Sequence, residues 1–149
     1  MIVSDEGMIA VIGDVMVSLW RRPYSLRSLE TIDRTVRSYD PEMSGLLTSV
    51  SIYRFERWRA PDFTNTSVRA RMVELSRQCR FRQAVSVLDG SGLVNGTIRL
   101  AFSGIMTALD LPYPVKTVES FDEALQCLEG VNTDPDTLRA AFAALERAR

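Results

Sequence analysis

Apolar positions along the chain recur in two rhythms. "MIAVI" and "VMVSLW" are short apolar runs on either side of Gly13-Asp14. Two such runs around a two-residue polar turn predict a β-hairpin. Pro23 closes the second strand, and Ser25 stands where a helix N-cap belongs. Leu26, Leu29, Ile32, Val36 and Tyr39 then follow at helical spacing. Asp40-Pro41 stops that helix, because proline disfavours a helical residue before it. "SGLLTSVSIY" alternates and is rich in strand formers. Val68, Met72, Leu75 and Cys79 mark one face of a second helix, whose opposite face carries Arg69, Arg71, Glu74, Arg77 and Arg80.

"QAVSVL" reads as a central strand, and "YPVKTV" as the last one. Between them, Leu93 to Leu109 is helical and apolar nearly all round, with Val94, Ile98, Phe102, Ile105 and Leu109 on one side. Thr97, Ala101, Gly104 and Ala108 form a small-residue stripe on the other. So little polar surface predicts burial on two sides. Ser120 and Glu123 form a capping box before "FDEALQCL", and Gly130 ends that helix. Asp134 caps a final helix with Pro135 in its first position, and Leu138, Phe142 and Leu145 make its apolar stripe.

Strands alternating with helices predict a single α/β domain. Its sheet is mostly parallel, of about five strands with an N-terminal hairpin, and helices pack on it. Residues 1–130 form the domain. Residues 131–149 form a C-terminal helical extension, packed on the domain or on a second subunit.

Composition narrows the chemistry. The chain has 149 residues, 46% hydrophobic and 25% charged, as in ordinary globular proteins. No apolar stretch is long enough to span a bilayer, and the acidic start "MIVSDEGMIAVIGD" is a poor signal peptide, which points to the cytoplasm. There is no histidine, which removes the commonest general base and zinc ligand. No carboxylate cluster has metal spacing, Asp33 and Asp40 belong to a solvated helix face, and neither a metal nor a cofactor is expected. Cys79 and Cys127 read as small buried hydrophobes.

Net charge is −1 but uneven: residues 51–82 hold eight arginines against three acids, and residues 110–149 hold four bases against eight acids. That asymmetry suits an acidic protein partner, or self-association in which opposite charges meet. The stripe Leu138, Phe142 and Leu145 then becomes a candidate homodimer contact. "YRFERWR" interleaves Tyr53, Phe55 and Trp58 with Arg54, Arg57 and Arg59. With Arg69 and Arg77 of the following helix, these are the candidate partner-binding residues. Aromatic-arginine mixtures serve protein hot spots as well as single-stranded nucleic acid. A protein partner is preferred here.

The turn "LDGSGLVNGT" offers a second candidate. Gly90, Gly92 and Gly96 lead from a strand into a helix, where free amides favour anions. No lysine follows as a P-loop requires. Asp89, Ser91, Asn95 and Thr97 are the candidate anion or phosphorylation residues, and Asp89 or Ser91 could equally be the helix cap.

The order of elements resembles the STAS family, the sulfate-transporter and anti-sigma-factor-antagonist domain. It is most similar to bacterial STAS-like proteins related to the lipid-binding CRAL-TRIO fold. "FRQAVSVLDGSG", an apolar helix and "LPYPVKTVESFDEALQCL" resemble that group's strand, loop, long helix, "PVRVF"-like strand and "EALAWL"-like helix. The resemblance covers about residues 8–130 and contains no catalytic signature. It implies a non-enzymatic regulatory or protein-interaction module. The alternative is a small-molecule or lipid-binding protein with a pocket beneath helix 93–109. In anti-sigma-factor antagonists a serine in an Asp-Ser-Ser-Gly-Leu turn is phosphorylated by the partner kinase, and "DGSGL" around Ser91 looks similar. The family's turn follows the strand after the first helix, whereas "DGSGL" comes one strand later.

Overall fold

The computed structural model describes residues 1–39, 46–54, 65–79, 81–89 and 93–148, with the side chains of 93–95 and 98 left aside. Among them are six strands: β1 (Ile2–Val3), β2 (Gly7–Ile12), β3 (Val15–Trp20), β4 (Leu47–Tyr53), β5 (Phe81–Leu88) and β6 (Val115–Val118). Five helices accompany them: α1 (Leu26–Arg37), α2 (Thr66–Gln78), α3 (Leu93–Ala108), α4 (Phe121–Cys127) and α5 (Pro135–Arg147). All six strands form one sheet in chain order. β1 to β3 pair antiparallel, and β3 to β6 pair parallel. The expected alternation and hairpin are present. The sheet has one strand more than expected, because Ile2–Val3 adds an edge, and it is parallel only over β3–β6.

Local chemistry explains the helix starts. The Ser25 hydroxyl accepts from the Ser28 amide, and the Ser28 hydroxyl accepts from the Ser25 amide, a capping box at α1. The Ser120 hydroxyl accepts from the Glu123 amide at α4. The returning bond from Glu123 goes to the Glu119 amide, one residue before the cap. Asp134 caps α5 through the Thr137 amide, with proline in the first turn as expected.

The two faces of the sheet carry different cores. One holds Met8, Val15, Val17, Val50, Val85 and Val87, covered by Phe121 and Ala124 of α4 and by Leu138 and Leu145 of α5. Phe121 and Phe142 stack with centroids 4.4 Å apart. The other face holds Ile9, Met16, Trp20, Tyr53 and Leu88, covered by α1 (Ile32, Val36) and α3 (Phe102, Met106). α1 and α2 lie side by side on that face.

The structure bears on three expectations here. First, Leu138 and Leu145 are each 1% exposed against the chain's own sheet, while Phe142, the third residue of the stripe, is half-buried. α5 packs on the chain's own sheet, the first of the two placements expected for this segment. The burial of two leucines contributes about 1.5–3 kcal/mol each. Second, α3 is not buried on two sides. Phe102 is covered, but Leu100 is 74% exposed, and Ala101, Gly104 and Ala108 are exposed with it. The helix lies over the four-residue strand β6, and no described element covers its outer side. Third, Asp33 is not solvated. It is 8% exposed in the seam between α1 and α2, held by Arg37 at 2.8 Å and Arg71 at 3.5 Å. Asp40 lies outside the described residues.

A buried carboxylate joins the chain's two ends. Asp14, in the β2–β3 turn, is 2% exposed. It accepts from the Asn132 amide (2.9 Å), the Thr133 amide (3.1 Å) and the Thr133 hydroxyl (2.6 Å), with Arg82 at 3.4 Å. Gly13 has φ +57°, and a Cβ there would collide with the Thr133 hydroxyl. Arg82 also donates to the Gly130 carbonyl, and Gln83 to the Glu129 carbonyl at 2.8 Å. Burial alone would push the Asp14 carboxyl up. The hydrogen bonds from the Thr133 hydroxyl and from the Asn132 and Thr133 amides outweigh it and hold the carboxyl below its ordinary value.

Asp14→Ala is therefore expected to lower stability in urea unfolding by about 3 kcal/mol at neutral pH, since several donors lose their acceptor at once. The folded carboxyl binds its proton less tightly than the unfolded one. The stabilisation is thus full above the ordinary carboxylate pKa and is lost as pH falls through the folded value. The gap between wild type and variant should narrow in acid, and an acid-independent gap would contradict this account.

Candidate functional site

β4 and β5 alternate so that Thr48, Val50 and Ile52 face the filled core with Val85 and Val87, while Ser49, Ser51, Tyr53, Ala84 and Ser86 face α1–α3. β3 adds Ser18 and Trp20 to this second face. The serines and tyrosines form a hydroxyl network. The Trp20 indole N–H donates to the Ser18 hydroxyl at 2.9 Å, and Ser18 donates to Ser51 at 3.0 Å. The Tyr24 and Tyr53 hydroxyls share a hydrogen bond of 2.5 Å, with Ser51 beside them. Ser86 completes the network against Tyr53.

Above this surface the helices leave space. A cavity of about 90 Å³ runs from Tyr53, at the carboxyl end of β4, to Phe81, at the amino end of β5. Its roof is apolar: Leu29 and Ile32 of α1, Met72 and Leu75 of α2, and Met106 of α3. A second cavity of about 40 Å³ adjoins it, sharing Tyr24, Tyr53, Met72, Met106 and Leu109 and reaching Asn65 and Arg69 at the start of α2. One stripe of α2, from Asn65 through Val68, Met72, Leu75 and Ser76 to Cys79, lines the combined chamber from end to end. A wider polar cleft of about 300 Å³ between α3 and β6 shares the walls Met106, Leu111 and Tyr113.

Burial sets the charge state of these walls. Burial, with the neighbouring Tyr53 phenol adding to it, pushes Tyr24 well above the ordinary tyrosine value. Burial pushes Tyr53 up to about 12 against the opposing hydrogen bonds from Tyr24, Ser51 and Ser86. Tyr113 and the Cys79 thiol are raised too, again chiefly by burial. Among the described residues no Asp, Glu, Lys or Arg lines the larger cavity.

The residues proposed from sequence are not gathered into one site. Tyr53 is 4% exposed and belongs to the chamber floor, not to a partner surface, because its position on β4 points it under α3. Arg54, the next residue, turns outward and is committed within the chain. It donates to Asp89 at 2.7 Å and to Glu146 at 2.6 Å, and its guanidinium lies 5.9 Å from the Phe142 ring centre. Arg54 of the basic segment thus meets Glu146 of the acidic one within the chain. Asp89 gives its carboxylate to Arg54. Arg69 and Arg77 are exposed on α2, and Thr97 is exposed on α3. Phe55, Arg57, Trp58, Arg59 and Ser91, and the side chain of Asn95, lie outside the described residues.

The chamber residues Ser49, Ser51 and Ser86 escaped the sequence reading. Serines in "LTSVSIY" and "AVSVL" alternate with apolar residues, as on a strand with one wet face. The signal that could have marked them is the requirement that a central parallel strand be covered on both faces.

Comparison with protein-family models, with curated proteins and with solved structures returns no match. Among the described residues no group of His, Cys, Asp and Glu could hold a metal ion, and no helix is long and apolar enough to cross a membrane.

The buried phenols give a direct check. The chain has four tyrosines. Titrated upward from neutral pH, tyrosinate absorbance is expected to stop short of the four-residue plateau until circular dichroism reports unfolding. Tyr24 and Tyr53 hold their protons more tightly in the fold than in the unfolded chain. Stability is therefore unaffected below about pH 10 and falls as pH rises beyond it. A complete tyrosinate signal in a still-folded protein would show that the network is open to water.

Proposed function

We propose that this chain is a non-enzymatic binding module, of the STAS-like type its element order resembles, that takes a small and mostly apolar molecule into the chamber beneath α3. The observation that carries this reading is the pair of adjoining cavities between an apolar helix roof and a hydroxyl-bearing sheet floor. Largely apolar clefts with a few convergent polar groups are the usual form of small-molecule sites. The non-enzymatic half is supported by the state of the walls. Tyr24, Tyr53, Tyr113 and Cys79 are all raised, so none is poised as a base near neutral pH.

The protein-interaction reading loses Tyr53 to the chamber floor and Arg54 to internal ion pairs. Arg69 and Arg77 remain at exposed positions of α2.

Toluene is a sufficient probe of the chamber. Wild-type protein should bind it saturably, with a rise in Tm and amide shifts centred on Ser49, Leu75 and Met106. Ala84→Leu adds bulk to the chamber wall. It should weaken binding at least about tenfold, if a filled site excludes the guest, while far-ultraviolet circular dichroism stays unchanged. Wild-type protein that takes up no toluene would overturn the reading whatever the variant does.

A further inference from the structure

The two walls of the chamber differ in chemistry, and the difference selects among guests. Ser51 accepts a hydrogen bond from Ser18 at 3.0 Å, and Ser86 lies against Tyr53. Ser49 differs. It is 7% exposed and lines the larger cavity, yet its hydroxyl makes no hydrogen bond to any described residue. Its oxygen faces the open space of the cleft, where water or a guest can reach it. A free hydroxyl on a cavity wall is a donor and acceptor held ready for whatever enters.

The ends of the chamber are aromatic. Tyr53 lies 5.1 Å from Phe102 at one end, and Phe81 meets Tyr113 edge-on at 5.5 Å at the other. Ring edges and faces so placed favour a further ring between them. The larger cavity, where Ser49 lies, has no charged side chain among the described residues, so an ion held there would be desolvated without a partner; Arg69 lines only the smaller cavity. Cavities of about 90 and 40 Å³ approach the size of the cavity of about 150 Å³ known to admit benzene. Met72 and Met106, unbranched and adaptable, can yield to a guest slightly larger than the present space.

Resting on the chamber reading, we infer that the guest is an uncharged, single-ring aromatic molecule carrying a hydroxyl or carbonyl group, with that group bonded to Ser49. A guest hydroxyl would donate to or accept from the serine, and a carbonyl would accept from it. The apolar ring would lie against the helix roof.

Phenol and toluene are nearly the same size and differ in the group offered to Ser49. Cyclohexanol keeps the hydroxyl and loses the ring, and benzoate keeps the ring and adds charge. Chemical-shift titration of the full chain with these four probes separates the possibilities. Phenol should bind about three- to tenfold more tightly than toluene, the range of one net hydrogen bond. Ser49→Ala should bring phenol down to the toluene level while leaving toluene affinity intact and the urea midpoint unchanged or slightly raised. Cyclohexanol should bind several-fold more weakly than phenol, and benzoate at least about tenfold more weakly. Equal phenol and toluene affinity in wild type, or an undiminished phenol preference in Ser49→Ala, overturns the role of Ser49 and leaves the chamber reading standing. Cyclohexanol or benzoate binding as tightly as phenol overturns the aromatic or uncharged character. Failure of all four to bind removes the chamber reading and the inference together.

Discussion

All six residues of β3 are buried, and a strand closed to water on both faces needs cover from two sides. Much of the architecture answers that demand. β3 pairs antiparallel with β2 through the hairpin and parallel with β4, so its backbone groups are satisfied on both edges. The crossover helices α1–α3 supply one cover. They cannot supply the other, because the opposite face is reached only after the last strand, by α4 and α5. The end of the chain must therefore return to its beginning. Asp14 fixes that return, binding the backbone at Asn132 and Thr133 from the turn that opens β3.

The two covers solve different problems. The face under α4 and α5 is almost wholly aliphatic and aromatic, from Val15 and Val50 to the stacked Phe121 and Phe142. Its polar residues, Thr48 and Gln83, lie toward the Asp14 end, where Gln83 bonds the Glu129 carbonyl. The face under α1–α3 carries serines in place of branched aliphatics and joins them through Tyr24, Tyr53 and Trp20. Hydroxyls are smaller than the side chains a filled core would use, and a connected network holds them in place. Space remains above them.

Much of this frame could be read from the residues alone. Gly13-Asp14 marked the hairpin, Ser25 and Ser120 the starts of α1 and α4, and Asp134-Pro135 the start of α5, because caps and turns depend on side chains acting on their own backbone. Properties that depend on distant partners were not legible. Asp14 read as a turn residue, since its acceptor role requires Thr133, 119 residues away. The stripe on α5 promised a covered surface but could not say whose. α3 showed an apolar composition, which says nothing of how far the sheet extends beneath it, and the short β6 leaves Leu100 in water. Arg54 shared a basic run with its neighbours, yet strand alternation alone decides that Tyr53 turns inward and Arg54 outward.

That division between local and distant determinants bears on where function can reside. The larger of the two hydrophobic cores, together with the Asp14 fastening, lies on the α4–α5 side of the sheet. The hydroxyl network and its cavities lie on the other, and the two sides share only the strand backbones. A face that carries the smaller core can keep an unpaired Ser49, raised phenols and empty volume, none of which a core selected for packing alone would retain.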